Sequence, residues 1–441
     1  MARRALAVFA LGLALMAHSP AGATDVKSLA TVQGAQLWFA EDHAVPMIAL
    51  VASFPAGSAY DPSAKTGTAA FAAALMDEGA GNLDADAFHA ALDDRGIQFA
   101  VEPGRDTTTV TMNMLSSDAK LAFHLLALAL AHPRFDAEAV SRVRTQMLQD
   151  LEAEKEDPAS VAENGFYSFY FGAHAYGHPI EGDARGLKAI TPADLKEFAR
   201  THWVRAGLQI TIAGDVDAKT AAALVSSTFG PLGAAAPPPP QAPSRVGAPG
   251  LHILPMDVPQ PAAVFALPSL TRGDPDYLTA YVANTILGGG GFSSRLTDEV
   301  REKRGLTYDV STDLVTYMRA GIMLGEVASK AGSMRQALGV VRDTMAKFSD
   351  RGPTEQELDD AKTYLEGAWP LAFASNAGMA AQLNDFQQMG LPIDYLDRRN
   401  DLIEAISIAD VRRVAARLFN PAKMTVVVAG SLPAAADDTA P

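Results

Sequence analysis

Residues 285–313 read Thr285-Ile-Leu-Gly-Gly-Gly-Gly-Phe-Ser-Ser-Arg-Leu-Thr-Asp-Glu-Val-Arg-Glu-Lys-Arg-Gly-Leu-Thr-Tyr-Asp-Val-Ser-Thr-Asp313, and the rest of the chain is organised around them. The apolar run Tyr281 to Leu287 predicts a helix. The four glycines Gly288, Gly289, Gly290 and Gly291 then end it, where unusual backbone angles are open to glycine. Ser293 or Ser294 is placed to cap a second helix that stops at Arg304-Gly305. The alternation from Leu306 to Val310 predicts a strand. This arrangement puts Arg301 near a helix end and Tyr308 on the following strand. Both are hydrogen-bond donors suited to a polarised carbonyl or a tetrahedral oxyanion.

Outward from that block the chain repeats itself. Ile190-Thr-Pro-Ala-Asp-Leu, leading to Leu208-Gln-Ile-Thr-Ile-Ala-Gly214, returns as Ile406-Ser-Ile-Ala-Asp-Val, leading to Met424-Thr-Val-Val-Val-Ala-Gly430. Asp94-Arg-Gly-Ile-Gln-Phe99 echoes Lys303-Arg-Gly-Leu-Thr-Tyr308. The two echoes share an offset of roughly 210–216 residues, which reads as a duplicated domain. Each copy predicts strands, two helices, further strands, then a run of helices closing on one strand. In the first copy Met47 to Phe54 and Thr107 to Met114 read as strands, and Gly67 to Glu78 and Ala85 to Asp94 as helices. The fold class is therefore α+β: two homologous domains, each a mostly antiparallel sheet with packed helices. The Pro/Ala-rich stretch 233–250 separates domain 24–232 from domain 251–432 as a semi-rigid spacer. The acidic, alanine-rich residues 433–441 are expected to be disordered.

Residues 1–23 read as a secretory signal: Arg3 and Arg4, an apolar core from Ala5 to Ala17, and Ala21-Gly22-Ala23 before the cut. The expected mature protein is periplasmic or secreted, and no run is long enough to span a membrane. The formal charge of the 441 residues is −15, which argues against nucleic acid and anionic lipid as partners. There is no cysteine, which removes disulfides and thiolate metal sites.

The block 285–313 resembles the second-half signature of the pitrilysin/insulinase-type metallopeptidases, in the two-domain branch that includes the mitochondrial processing peptidases. The resemblance implies that an Arg and a Tyr seven positions apart contact the substrate backbone at the scissile bond, roles that carry over to Arg301 and Tyr308. It also makes Gly288 to Gly291 substrate-binding. Active relatives carry His-x-x-Glu-His on the first helix of the first half, with two imidazoles on zinc and the Glu activating water. Here Pro55 to Gly67 match the lead-in, yet the motif reads Ala70-Phe-Ala-Ala73-Ala74, and Asp150 stands where the third ligand, a Glu, is expected. Alanine cannot ligate zinc, and a lone Asp does not hold an ion that takes three protein ligands. His174 and His178 have a ligand-like spacing but fall in a loop, Phe171 to Pro179.

The chain is thus expected to bind no cofactor of its own. The resemblance implies a non-catalytic subunit whose partner is a zinc-bearing homologous peptidase, with Arg301 and Tyr308 acting in trans on a peptide substrate. The alternative is a peptide-binding or scaffold protein that holds extended peptides without proteolysis. An active enzyme with an unconventional site is a third possibility.

Overall fold

The computed structural model describes residues 25–235, 238–244 and 246–432. The readings of 1–23 as a signal and of 433–441 as a disordered tail lie outside these residues.

Six strands form the first sheet: β1 (Val26–Leu29), β2 (Ala35–Glu41), β3 (Met47–Phe54), β4 (Gln98–Pro103), β5 (Thr108–Leu115) and β6 (Leu208–Gly214), in the order β1-β2-β6-β3-β5-β4. Five form the second: β7 (Gly250–Leu254), β8 (Ala262–Pro268), β9 (Val310–Thr316), β10 (Gly321–Ala328) and β11 (Thr425–Ala429), in the order β7-β11-β8-β10-β9. In the first sheet only β2 and β6 run parallel, and in the second only β7 and β11 do. The register carries the duplication residue by residue. Gln36 lies opposite Gln209 as Gly250 lies opposite Thr425, and Leu37 opposite Ile210 as Leu251 opposite Val426.

The helices of the first half are α1 (Thr68–Ala73), α2 (Ala85–Asp93), α3 (Ala119–Ala131), α4 (Ala137–Glu154), α5 (Pro158–Phe171), α6 (Ala184–Ala189), α7 (Pro192–His202) and α8 (Ala218–Phe229). Those of the second half are α9 (Tyr277–Asn284), α10 (Ala331–Arg351), α11 (Glu355–Ala368), α12 (Asn376–Gln388), α13 (Tyr395–Glu404) and α14 (Ile408–Leu418). The sequence echo is visible in how α7 and α14 begin. Thr191 with Asp194, and Ser407 with Asp410, each close a reciprocal capping box that satisfies the free amides of the first turn.

Each sheet is buried on both faces, and one cover on each comes from the opposite half. Ala162, Phe166, Tyr167 and Tyr170 of α5 pack on Val264, Ala266, Ile322 and Val427 of the second sheet. Met379, Ala380, Leu383 and Phe386 of α12 pack on Trp38, Ala49, Val51 and Ala213 of the first. Full burial of one large apolar side chain is worth about 1.5–3 kcal/mol, so this exchange ties the halves together strongly. Gly165 lets α5 approach, since a Cβ there would collide with the Leu254 side chain. On the other side, Asn384 accepts from Ser53 Oγ (2.6 Å), and Gln387 accepts from Thr211 Oγ1 (3.0 Å). The sequence boundary near residue 233 separates the sheets but not these two helices.

Three local expectations change. The helix expected to reach Glu78 stops at Ala73 and continues as turns. The helix after the glycines follows a short 3-10 turn, Gly291–Ser293; it starts at Arg295, with Ser294 Oγ accepting from Thr297 N at 3.3 Å, and is π-helical over Thr297–Glu302. The strand expected from Leu306 starts only at Val310, because Leu306 and Thr307 turn inward and are tied down by other bonds.

Candidate functional site

The glycine run is first a packing requirement. A second π-helical turn, Thr285–Gly289, carries α9 into it. A Cβ on Gly288 would collide with Thr312 Oγ1, one on Gly289 would sit 2.8 Å from Asn284 Nδ2, and one on Gly290 would sit 2.6 Å from Thr285 O. Gly291 alone needs glycine for its backbone, with φ of +59° and open space around it. Gly289 and Gly291 are exposed, while Gly288 and Gly290 are buried against neighbouring backbone and side chains.

Arg301 sits in the π-helical turn after the glycines, its side chain one-third exposed. Its guanidinium lies over the Phe292 ring, 4.7 Å from the centroid, and 3.6 Å from the Glu302 carboxylate. Phe292 is 77% exposed. The ring lies outside both cores and gives the guanidinium a face to rest on. Sequence reasoning passed over Phe292, although its place directly after four glycines was a signal.

Tyr308 lies on the loop between the π-helical turn and β9, and is 81% exposed. Its hydroxyl has no partner among the described residues. The backbone around it is held firmly. Gly305 N donates to Arg301 O (2.7 Å) and Leu306 N to Val300 O (3.0 Å). Ser329 Oγ donates to Leu306 O, and Thr307 Oγ1 bonds the carbonyls of Asp309 and Ala328, both at 2.6 Å. A pinned loop therefore presents a free phenol. The same hydrogen bonds tie the Tyr308 loop to the turn that carries Arg301.

The degenerate metal positions are chemically unable to hold a metal. Ala70 and Ala73 are buried on α1, at 3% and 2% exposure, and Ala74 follows at its exposed end. Asp150 is on the exposed side of α4, accepting from Gln146 Nε2 at 2.8 Å. Three methyls and one engaged carboxylate do not fit zinc, so no step through a metal on this chain follows. Among the described residues one group of three metal-capable side chains clusters elsewhere: Asp77, Glu78 and His89. There Glu78 is already neutralised by Arg142. His174 and His178 are structural: His174 Nδ1 accepts from Tyr176 N and Nε2 bonds Gln241 O (2.7 Å). His178 Nδ1 bonds Pro179 O, and burial pushes the ring pKa down.

A cleft of ~500 Å³ lies between the halves, lined by Asp106, Gln209, Arg272, Tyr317 and Asp385 among others. Asp106 bridges the halves, accepting from Tyr176 Oη and from Met318 N, both at 2.6 Å; burial nevertheless pushes its pKa up. Burial also raises Asp385. Sequence reasoning did not find this cleft, because its walls come from segments far apart in the chain.

Three comparisons bear on this geometry. Residues 40–184 match the family model for the insulinase peptidases, family M16, and residues 189–365 match the model described as the peptidase M16 inactive domain. The crystal structure of a peptidase M16 inactive domain from Pseudomonas fluorescens superposes with a TM-score of 0.88 at 31% identity, covering 93% of this chain and 98% of that one. A non-peptidase homolog of Helicobacter pylori is 25% identical over 379 residues, 85% of this chain and 86% of its own length. An uncharacterized zinc protease of Mycobacterium leprae is 27% identical over 339 residues, 75% of each chain.

Proposed function

The chain belongs to peptidase family M16, the insulinase family, as a homologue without the zinc motif, and from that premise we propose that it is the non-catalytic subunit of an exported, zinc-dependent peptidase heterodimer. In this reading a zinc-bearing homologue holds the metal and the water-activating carboxylate. This chain brings Arg301 and Tyr308 to the peptide in trans. The planar guanidinium and the phenol are donors that strengthen as negative charge develops on the scissile carbonyl oxygen, so their contribution falls mainly on the transition state.

The observation that carries the proposal is Tyr308. Its hydroxyl is free and its ring exposed, yet its loop is fixed by buried Leu306 and Thr307. A residue kept for stability would be expected to bury its ring or bond its hydroxyl. On a chain whose own metal positions are Ala70, Ala73 and Ala74, such a donor serves a site completed by another molecule. Co-expression with a homologue carrying intact His-x-x-Glu-His, then size-exclusion chromatography and peptide cleavage, tests the proposal. The expected result is a mixed complex that cleaves faster than either chain alone.

A second reading, a peptide-holding scaffold without proteolysis, rests on the terminal strands β4 and β9. Each ends its sheet and offers an edge to an extended peptide. Peptide binding by the isolated chain, with no gain in cleavage on adding any homologue, would favour it.

A further inference from the structure

The cleft between the halves holds two opposite charges that do not meet. Asp385 lines it from the last turn of α12, where the helix dipole disfavours a carboxylate. The polar residues around it on that helix are engaged: Asn384 with Ser53 and Gln209, Gln387 with Thr211, and Gln388 with Asn384 and Thr107. Asp385 itself has neither a hydrogen-bond partner nor an ion pair among the described residues. Burial is the sole cause that pushes its pKa up.

Arg272, in the segment after β8, lines the same cleft. Its guanidinium lies 4.2 Å from the centre of the Tyr277 ring and 5.6 Å from that of Tyr395, and Nη2 donates to Tyr395 Oη at 3.3 Å. Aromatic faces thus fix the group while leaving most of its N–H donors for another acceptor. Arg399 lies close by, and the Arg272 charge adds to burial in lowering its pKa. Neither arginine has a carboxylate partner among the described residues. One part of the cleft therefore carries uncompensated positive charge, and another an uncompensated carboxylate.

We propose that this cleft binds a small zwitterion of the α-amino acid class, either a free amino acid or a short peptide with both ends free. The ammonium goes to Asp385 at the end of α12, and the carboxylate to the fork of Arg272. A molecule carrying both charges removes both imbalances at once. A lone anion is opposed by Asp385 and Asp106, and a metal ion by Arg272. The ~500 Å³ of the cleft lies in the range that holds a small organic ligand. None of its lining residues falls within 285–313, so the site is separate from Arg301 and Tyr308.

Calorimetric titration of the purified full chain with alanine, dialanine and trialanine tests the proposal and tells the free amino acid from the peptide. At least one of the three should bind, and its N-acetylated and C-amidated forms should each bind about tenfold more weakly or worse. In Asp385→Asn, acetylation should no longer matter, while amidation still does. In Arg272→Gln the pattern should reverse. Asp385→Asn breaks no hydrogen bond of the fold, so its arm stands even where Arg272→Gln melts early. No binding of any of the three at about 10 mM would overturn the proposal. So would blocked forms that bind as tightly as the free ones, or a preference for the free amine that survives Asp385→Asn. Binding is read on this chain alone, with no partner and no cleavage, so its failure leaves the peptidase reading standing and the reverse holds too.

Discussion

The guanidinium of Arg301 rests 4.7 Å from the centre of a Phe292 ring that is otherwise open to water. A cation held over an exposed ring is worth about 0.5–1 kcal/mol, enough to bias the guanidinium toward one position before any peptide arrives. Phe292→Ala should therefore leave the melting temperature unchanged, because the ring buries little. Cleavage by the mixed complex should fall about 2–5-fold, the factor that such an energy corresponds to. Steady-state rates per mole of assembled complex, with and without the ring, provide the check.

Restoring the metal motif should fail for a reason set by packing as well as chemistry. Ala70 and Ala73 are buried to within a few per cent, so Ala70→His and Ala73→Glu force large polar groups into filled space. Overpacking of this kind costs about 1–3 kcal/mol, and the imidazoles would lack partners to orient them. The variant with Ala74→His included is expected to melt lower than the parent and to cleave no peptide alone. Calorimetry with metal analysis after dialysis decides it; strong turnover by the isolated triple variant would show that assembly in trans is unnecessary.

How far the sequence led depends on whether a feature was local. The capping boxes at Thr191 and Ser407, and the strands after them, were legible because caps and alternation are written into neighbouring residues. The three alanines were legible because chemistry at fixed spacing needs no structure. The exchange of α5 and α12 was not: both are helices facing apolar surface, and nothing in either says which sheet supplies it. Tyr308 was assigned to a strand because Leu306, Tyr308 and Val310 alternate in type. Tertiary bonds from Thr307 and Ser329 overrode that pattern and made the segment a fixed loop.

The exchanged helix α12 should be a point of cooperative unfolding. Asn384 is buried, accepts from Ser53 Oγ at 2.6 Å and donates to Gln209 O at 3.3 Å. Asn384→Ala strands those partners inside the interface between halves, which costs about 1–3 kcal/mol. Both halves should lose stability together, seen as a single shifted transition by denaturant. Two separated transitions would show that the halves are held by other contacts.

Stability in acid should follow the Arg295–Glu357 pair. Burial opposes ionisation of Glu357, yet the Arg295 fork (2.5 and 2.6 Å) and the Thr354 amide and hydroxyl hold its pKa down to about 2. A carboxylate depressed on folding adds stability in full above its unfolded pKa of 4.5, and loses that contribution as pH falls through the folded value. Glu357→Gln should therefore be clearly less stable than the parent at pH 7. The difference should shrink between pH 4.5 and 2. A gap that stays constant over that range would assign the effect to packing.

Turnover of the Tyr308→Phe heterodimer, per mole of purified complex and beside its melting temperature, tests the central claim most directly. The substitution removes one hydroxyl from an exposed ring whose loop is held by other residues, so folding and assembly should be unchanged. If that hydroxyl donates to the scissile oxyanion in the partner's site, turnover should fall by roughly 10²–10³, the loss typical of one oxyanion donor. Unchanged turnover in a correctly assembled Tyr308→Phe complex would contradict the account.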